Sequence, residues 1–323
     1  MKSCGQNLAE VLGPGFRRKP AHAKRRRAMS NPKIGFIGLG LMGSAMVGRL
    51  QDKGYGLTVI ANRSRGNVEA AVARGAVEVS TAREVAAASD VVMLCMGTSD
   101  QVESRMRGPD GVIAGLKPGA VVIDFGTSLP ASTRALGAEV AAAGGAYLDA
   151  PLGRTPMHAK DGLLNIMGAG DKAAYDKVKP VLDDLGENVF HLGDLGAGHT
   201  IKLINNFFAM TTANAMSEAF AMADRMGVSR QNLYDVMAAG PLKSGMMDFV
   251  KAYAIDGDPG MLAFAVRNAK KDVGYYVQMA EEAGAESIMA QCARRALELS
   301  EAAGRGENYV TEQVDFFTAQ FGD

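Results

Sequence analysis

Residues 33–50 read KIGFIGLGLMGSAMVGRL, and this stretch decides the fold. Strand-like sequence over residues 33–37 runs into Gly38, Gly40 and Gly43, spaced G-x-G-x-x-G, and a helical pattern follows through Met46, Val47 and Leu50. A strand, a tight turn and a helix N-terminus are implied. In such a turn the first glycine permits the bend, the second lets backbone approach a pyrophosphate, and the third lets helix and strand pack closely. The free N–H groups and the helix dipole receive the anion. Glycine-rich turns also arise for backbone reasons alone; the strand before and the helix after are what point to a dinucleotide here. Gly38, Leu39, Gly40, Leu41, Met42 and Gly43 are therefore the expected pyrophosphate cradle.

Working outward, the chain alternates strand and helix. Residues 57–61 (LTVIA) read as the second strand and end in Asn62-Arg63-Ser64-Arg65. About twenty residues past the glycines, a carboxylate would accept the ribose hydroxyls of NAD, whereas an arginine accommodates the extra phosphate of NADP. No carboxylate stands here. Asn62, Arg63 and Ser64 are the expected ribose contacts, with Arg65 beside them, and NADP is favoured while NAD stays possible. Solvated loop charges are the plainer reading of the two arginines. Further strands are read near Val77 and over 91–96 (VVMLCM), 120–124, 146–150, 163–167 and 189–192. Helices are read between them, including one from Thr81 capped with Glu84, one over 130–143 and one around 175–185. This is the α/β pattern of a Rossmann-type doubly wound sheet. Met96 and Thr127 fall in loops at carboxyl ends of strands, where ligands lie in such sheets, and are assigned to the nicotinamide side.

From Gly198 the strands stop. Residues 201–226 form one long helical pattern without Pro or Gly, closed by Gly227, and the Met-, Ala- and Leu-rich remainder is helical with breaks near Gly240-Pro241 and residues 257–260. The expected organisation is a basic tail over 1–30, a dinucleotide-binding domain over 31–195, and an all-helical domain over 196–323 joined by a long interdomain helix at about 200–226. Many of the methionines suit core filling or subunit contact better than chemistry.

At 323 residues there is room for two cores. Thirty-five basic residues balance 35 acidic ones, and 47% hydrophobic with 22% charged is ordinary, so nothing draws the chain toward nucleic acid or a membrane. No apolar run approaches the length of a membrane span. Cys4, Cys95 and Cys292 are odd in number and lack metal-ligand spacing, so no metal is expected and a reducing cytoplasm fits. The first residues carry Arg17, Arg18, Lys19, Lys24, Arg25, Arg26 and Arg27 against the single acid Glu10, with no apolar core for a secretory signal. A nucleic-acid arm and an organellar presequence are open readings; a solvated, disordered tail, or a start upstream of Met29 that is not native, is preferred.

Two stretches carry candidate chemistry. In GAGHTIKLINN (196–206), spacings of three and four put Lys202 beside Asn205 and Asn206, while Ile201, Ile204 and Phe208 take another face. Burial at the start of an apolar helix lowers a lysine toward acid–base range, so Lys202 suits a general acid that protonates a carbonyl oxygen. Asn206 would hold that oxygen or position the lysine, and Asn205 the polar tail of the substrate. A solvated helix lysine fits the spacing equally well. Gly153-Arg154-Thr155 follows a strand, and the planar fork of Arg154 suits a carboxylate, sulfonate or phosphate, which implies a small anionic substrate. An arginine bridging the loop to the helical domain is the alternative. His158, His191 and His199 have no ligand spacing and read as turn and surface residues. Lys270-Lys271-Asp272 follows an apolar helical start and returns to the site only if the second domain folds back.

With these residues in view, the chain resembles the β-hydroxyacid dehydrogenase family over about residues 33–320. GFIGLGLMGSAMVGRL (35–50), DAPLGRTPMHAKDGLLNIMGAG (149–170), GAGHTIKLINN and Lys271-Asp272 look like four of its motifs, in its order. The resemblance implies an NAD(P)-dependent oxidoreductase with Lys202 as catalytic acid or base, Asn206 beside it and Lys271 closing on the cofactor. It also implies an all-helical domain that builds a homodimer or homotetramer. Most of the family has Ser-Gly-Gly where this chain has Gly153-Arg154-Thr155, which adds charge and bulk at the anion site. That variant is similar to the one in sulfolactaldehyde reductases, which interconvert 3-sulfolactaldehyde and 2,3-dihydroxypropane-1-sulfonate. The expected substrate is accordingly 3-sulfolactaldehyde, with carboxylate substrates (3-hydroxyisobutyrate, succinic semialdehyde or glyoxylate, tartronate semialdehyde) as the alternative. A non-catalytic nucleotide-binding protein is the remote reading, because Lys202 is present.

Overall fold

Strand β1 (Ile34–Ile37) is buried along its whole length, as a central strand covered on both faces should be. The computed structural model describes residues 31–62 and 65–322, so the basic tail, Arg63 and Ser64 lie outside the described residues. After β1 come α1 (Leu41–Asp52), β2 (Leu57–Ile60), α2 (Gly66–Ala73), β3 (Val77–Val79), α3 (Ala82–Ala88), β4 (Val91–Leu94), α4 (Ser99–Met106) and α5 (Val112–Gly115). Then follow β5 (Val121–Asp124), α6 (Pro130–Ala142), β6 (Ala146–Asp149), β7 (Leu152–Gly153), α7 (Pro156–Asp161), β8 (Leu164–Gly170), α8 (Lys172–Leu185) and β9 (Gly186–His191). The first six strands are parallel in the order β3-β2-β1-β4-β5-β6. The order turns back between β1 and β4, and the crevice outside their carboxyl ends is where a nucleotide lies in such sheets. β6 and β7 run antiparallel to successive parts of β8, and β9 pairs β8 in parallel.

The alternation of side chains builds two cores. Val91 and Met93 of β4 join Ile34, Phe36 and Ile123 in one apolar layer, while Val92 and Leu94 join Ile37, Val85 and Leu136 in the other. The expected cap of α3 is present: Thr81 Oγ1 accepts from Glu84 N–H, and the Glu84 carboxylate accepts from Thr81 N–H.

From Ala197 the chain is helical: α9 (Ala197–Arg225), α10 (Arg230–Ala238), α11 (Gly245–Ala254), α12 (Val266–Glu282), α13 (Ile288–Ser300) and α14 (Gln313–Phe321). Met210, Met216 and Met247 fill its core with Phe220, Val273 and Leu297. The described residues from Pro32 onward form one compact unit, so α9 links two layers that pack together. Among the described residues, no helix is long and apolar enough to cross a membrane.

Three local differences from the sequence reading have physical causes. α9 starts at Ala197 rather than near 201, because its first turn, AGHT, has no apolar periodicity and is set by a carboxylate from β6. β8 continues past Met167 through Gly168 and Gly170, which are close-packed: a Cβ on Gly168 would lie 2.7 Å from Tyr175 Cε2 and 2.9 Å from Phe190 O. β7 is too short to leave a pattern.

Candidate active site

The glycine turn is built for an anion. Gly38 has φ +99°, and a Cβ there would sit 2.3 Å from Cys95 O and 2.9 Å from Met96 Sδ. A Cβ on Gly43 would sit 1.9 Å from Gly38 O, so α1 can approach β1 only without a side chain. Gly40 differs: nothing lies within 4 Å of its missing Cβ. It is also the N-cap of α1 and supplies no side-chain cap, which leaves the first N–H groups of the helix unspent in open space. That cradle fits a pyrophosphate. Around it Leu39 is buried, Met42 packs on the core and Leu41 is exposed. Burial, with Asp124 nearby, pushes the Cys95 thiol up to about 12, so it stays protonated and inert.

At the ribose end, Asn62 follows β2, and Arg105 of α4 donates to its Oδ1 at 3.4 Å. Arg65 faces elsewhere: Nη1 and Nη2 donate to the two carboxylate oxygens of Glu78 at 3.1 Å each, and Nε to Glu69 at 3.3 Å. At the other end, the loops of Met96 and Thr127 meet, since a Cβ on Gly126 would be 2.9 Å from Met96 O. Asp124 fixes the second loop by accepting from Gly126 N–H at 2.8 Å and Ser128 Oγ at 2.7 Å. Lys271 reaches these loops from α12, donating to Gly97 O at 2.9 Å and Thr127 O at 3.1 Å, with its Nζ 5.1 Å from the Tyr275 ring centroid. Tyr275 Oη accepts from Ser99 N–H at 3.1 Å, so α12 is tied to both strand ends.

Lys202 sits on the first turns of α9. Gly198, one turn earlier, abuts Met167 O, Asp149 and Pro151, so this face of the helix looks onto the chain leading into the 153–155 loop. Burial pushes the Lys202 ammonium below the ordinary lysine range; Asp272 pulls it back up and Lys271 pushes it down. Asn206 is buried and donates from Nδ2 to Asp272 Oδ2 at 2.6 Å, while Asn205, more exposed, donates to Asn206 Oδ1 at 3.3 Å. Asp272 is itself buried, with Lys271 Nζ 2.7 Å from its Oδ1. Lys202, Asn206, Asp272 and Lys271 thus form one cluster, and Asp272 is the member whose role the sequence left unread.

The 153–155 loop is arranged differently from expectation. Arg154 has φ +78°, the only left-handed non-glycine among the described residues. Its Nη1 donates to Leu163 O at 2.7 Å and to Glu187 at 2.6 Å, and Thr155 Oγ1 pairs with His158 Nδ1 at 2.8 Å. Arg154 therefore bridges to the β9 end of the sheet rather than to the helical layer. Gly153 lies in β7, paired with Asn165.

His199 is a correction. It is fully buried, not at the surface, with Nδ1 2.7 Å from Thr133 Oγ1, Nε2 3.8 Å from Asp124 and Nδ1 3.9 Å from Asp149. Asp149, also fully buried, accepts from Gly196 N–H at 2.8 Å and His199 N–H at 2.7 Å and so fixes the start of α9. His191 also departs from a plain surface role: its Nε2 is 2.9 Å from Gly170 O and its ring lies 4.7 Å from that of Tyr175.

A Rossmann sheet with an open glycine cradle, and a lysine–amide cluster on helices that pack against that sheet, define a nicotinamide-dinucleotide oxidoreductase. Residues 33–193 match the family described as the NAD binding domain of 6-phosphogluconate dehydrogenase, and residues 196–317 the one described as NAD-binding of NADP-dependent 3-hydroxyisobutyrate dehydrogenase. The chain belongs to the 3-hydroxyisobutyrate dehydrogenase, or β-hydroxyacid dehydrogenase, family, whose members include NAD(P)-dependent hydroxyacid dehydrogenases and semialdehyde reductases. It is 32% identical to 2-(hydroxymethyl)glutarate dehydrogenase of Eubacterium barkeri over 90% of this chain and 96% of that one. It is 33% identical to 2-hydroxy-3-oxopropionate reductase of Escherichia coli over 67% of this chain and 73% of that one. A 3-hydroxyisobutyrate dehydrogenase of Mycobacterium tuberculosis, solved with L-serine, superposes with a TM-score of 0.79 at 25% identity, covering 88% of this chain and 98% of that one.

Proposed function

We propose that this chain is an NADP-preferring oxidoreductase that interconverts a short anionic semialdehyde and its hydroxy acid, with Lys202 as the proton donor and acceptor. The carrying observation is the Lys202 environment: burial lowers the ammonium while Asn206 and Asp272 hold its surroundings on two helices. The Gly38–Gly43 turn would hold a nicotinamide dinucleotide, which would supply the hydride in reduction and accept it in oxidation. In reduction Lys202 Nζ gives a proton to the carbonyl oxygen, and in oxidation the neutral amine takes it from the hydroxyl. Asn206, held by Asp272, positions the lysine or that oxygen, and Asn205 meets the polar tail. Lys271 holds the nicotinamide-side loops of Met96 and Thr127 together.

For the head group, the 153–155 loop supports two readings. Arg154 and Thr155 are suited by composition to a sulfonate, hence 3-sulfolactaldehyde. Both side chains already have partners in Glu187, Leu163 and His158, which favours a carboxylate held by backbone donors of the loop. The carboxylate is the first reading. The sulfonate becomes the better one if substrate displaces Glu187, an exchange that costs little: the pair is partly exposed, at 30% and 53%, and such pairs contribute under about 1 kcal/mol.

Initial rates of NADPH oxidation with succinic, tartronate and methylmalonate semialdehydes, glyoxylate and 3-sulfolactaldehyde test this, using wild type, Lys202→Ala and Arg154→Gly. A carboxylate preference that survives in Arg154→Gly supports the first reading. A sulfonate preference of about a hundredfold, lost in Arg154→Gly, selects the second. Lys202→Ala is expected to lower kcat by about 10²–10⁴ with NADPH binding retained; undiminished turnover overturns the proposal.

The same proposal includes a homodimer or homotetramer built through the helical layer. Its support is apolar surface there: Ile288 and Met289 are largely exposed, and Ile288 lines a groove of about 580 Å³ with Leu299 and Phe321 as well as the charged Glu218 and Arg295.

A further inference from the structure

Arg65 is spent on structure. Its fork is matched to Glu78 and its Nε to Glu69, so a phosphate at the ribose would compete with two carboxylates for it. The fold brings a different arginine to the same place. Arg105 lies on the last turn of α4, 43 residues beyond Asn62, and its Nη2 donates to Asn62 Oδ1. Asn62 stands just past the carboxyl end of β2, where the ribose 2′ position lies in this fold.

Arg105 is available in a way that three other described arginines of this region are not. Arg65, Arg74 and Arg107 each have an ion pair with a carboxylate, whereas Arg105 has none among the described residues. Its described hydrogen bond is one long contact, which leaves most of the five guanidinium N–H donors for a ligand. The helix beneath it is fixed. Val102 and Met106 are buried, Thr98 caps its start, and Ser99 is held from both sides, by Tyr275 Oη at its N–H and by Leu129 N–H at its Oγ. A planar fork on a rigid element, with no carboxylate ion-paired to it among the described residues, is the arrangement that selects a phosphate dianion over a hydroxyl.

We propose that Arg105 is a specificity-determining residue whose guanidinium, with Asn62, binds the 2′-phosphate of NADP. This rests on the reading of the chain as NADP-preferring, and the experiment separates the two. Calorimetric titration of the full chain, as wild type, Arg105→Gln and Arg105→Lys, uses adenosine 2′,5′-bisphosphate and 5′-AMP as probes, then NADPH and NADH. Wild type is expected to bind the bisphosphate at least about tenfold more tightly than 5′-AMP. Arg105→Gln should lose most of that ratio, with 5′-AMP and NADH affinities within about twofold of wild type, and Arg105→Lys should regain part of it. No wild-type preference for the 2′-phosphate overturns the NADP reading itself. A wild-type preference that persists in Arg105→Gln overturns the role of Arg105 alone. Equal weakening of all four ligands in Arg105→Gln means that the residue supports the fold of the site, and overturns it too.

Discussion

Lys202 shows how one residue's chemistry is set by its neighbours. Burial lowers its ammonium, Asp272 raises it and Lys271 lowers it. The proposed reduction needs the protonated lysine, so kcat/KM for the semialdehyde should be flat at low pH and fall as pH rises through the lowered pKa. Oxidation needs the neutral amine and should rise through the same value. Asp272→Asn removes the one charge that raises Lys202, so both limbs should move to lower pH. The amide introduced by that substitution would still offer an oxygen to Asn206 Nδ2, which now donates to Asp272 Oδ2, so the helices stay joined. Parallel pH–rate profiles check this; limbs that stay in place, or move to higher pH, would show that Asp272 does not set the lysine.

At the scale of elements, the start of α9 is the critical join, because it aims Lys202. Asp149 at the end of β6 accepts from the Gly196 and His199 N–H groups, placing a buried carboxylate at the positive end of a 29-residue helix. Asp149→Ala strands two buried donors and should cost about 2–4 kcal/mol in urea unfolding. Asp149→Asn, which keeps an acceptor, should cost less, and equal loss in both variants would refute the capping account. What the sequence disclosed divides along the same line. The glycine turn, the strand order's ingredients and the body of α9 were legible, because periodicity, a fixed glycine spacing and a helix without Pro or Gly are local signals. His199, Asp149 and Asp124 were not, since their meeting depends on three distant segments and leaves no spacing. Asp272 stood beside Lys271 in the sequence, yet only the packing of α12 on α9 gives it Asn206. Arg65 looked free for phosphate because its partner Glu78 lies on the next strand.

Across the whole molecule, the site exists because helices after residue 196 return to the sheet. Lys271 spans the carbonyls of Gly97 and Thr127, Tyr275 holds Ser99, and Asp149 holds α9. The rest of the helical layer still presents apolar surface, and its proposed use is assembly. Ile288 is 70% exposed in the single chain, so a charge there should disturb the fold of one chain little. If the face is buried against a second copy, the same charge is desolvated without a partner and costs several kcal/mol. Light scattering of wild type should therefore give two or four times 33.9 kDa, and Ile288→Asp should shift the mass toward one chain with an unchanged circular dichroism spectrum. A wild type of 33.9 kDa would overturn the assembly proposal, whereas an oligomer indifferent to Ile288→Asp would move the interface to another face, such as the exposed Ile204 and Phe208 of α9.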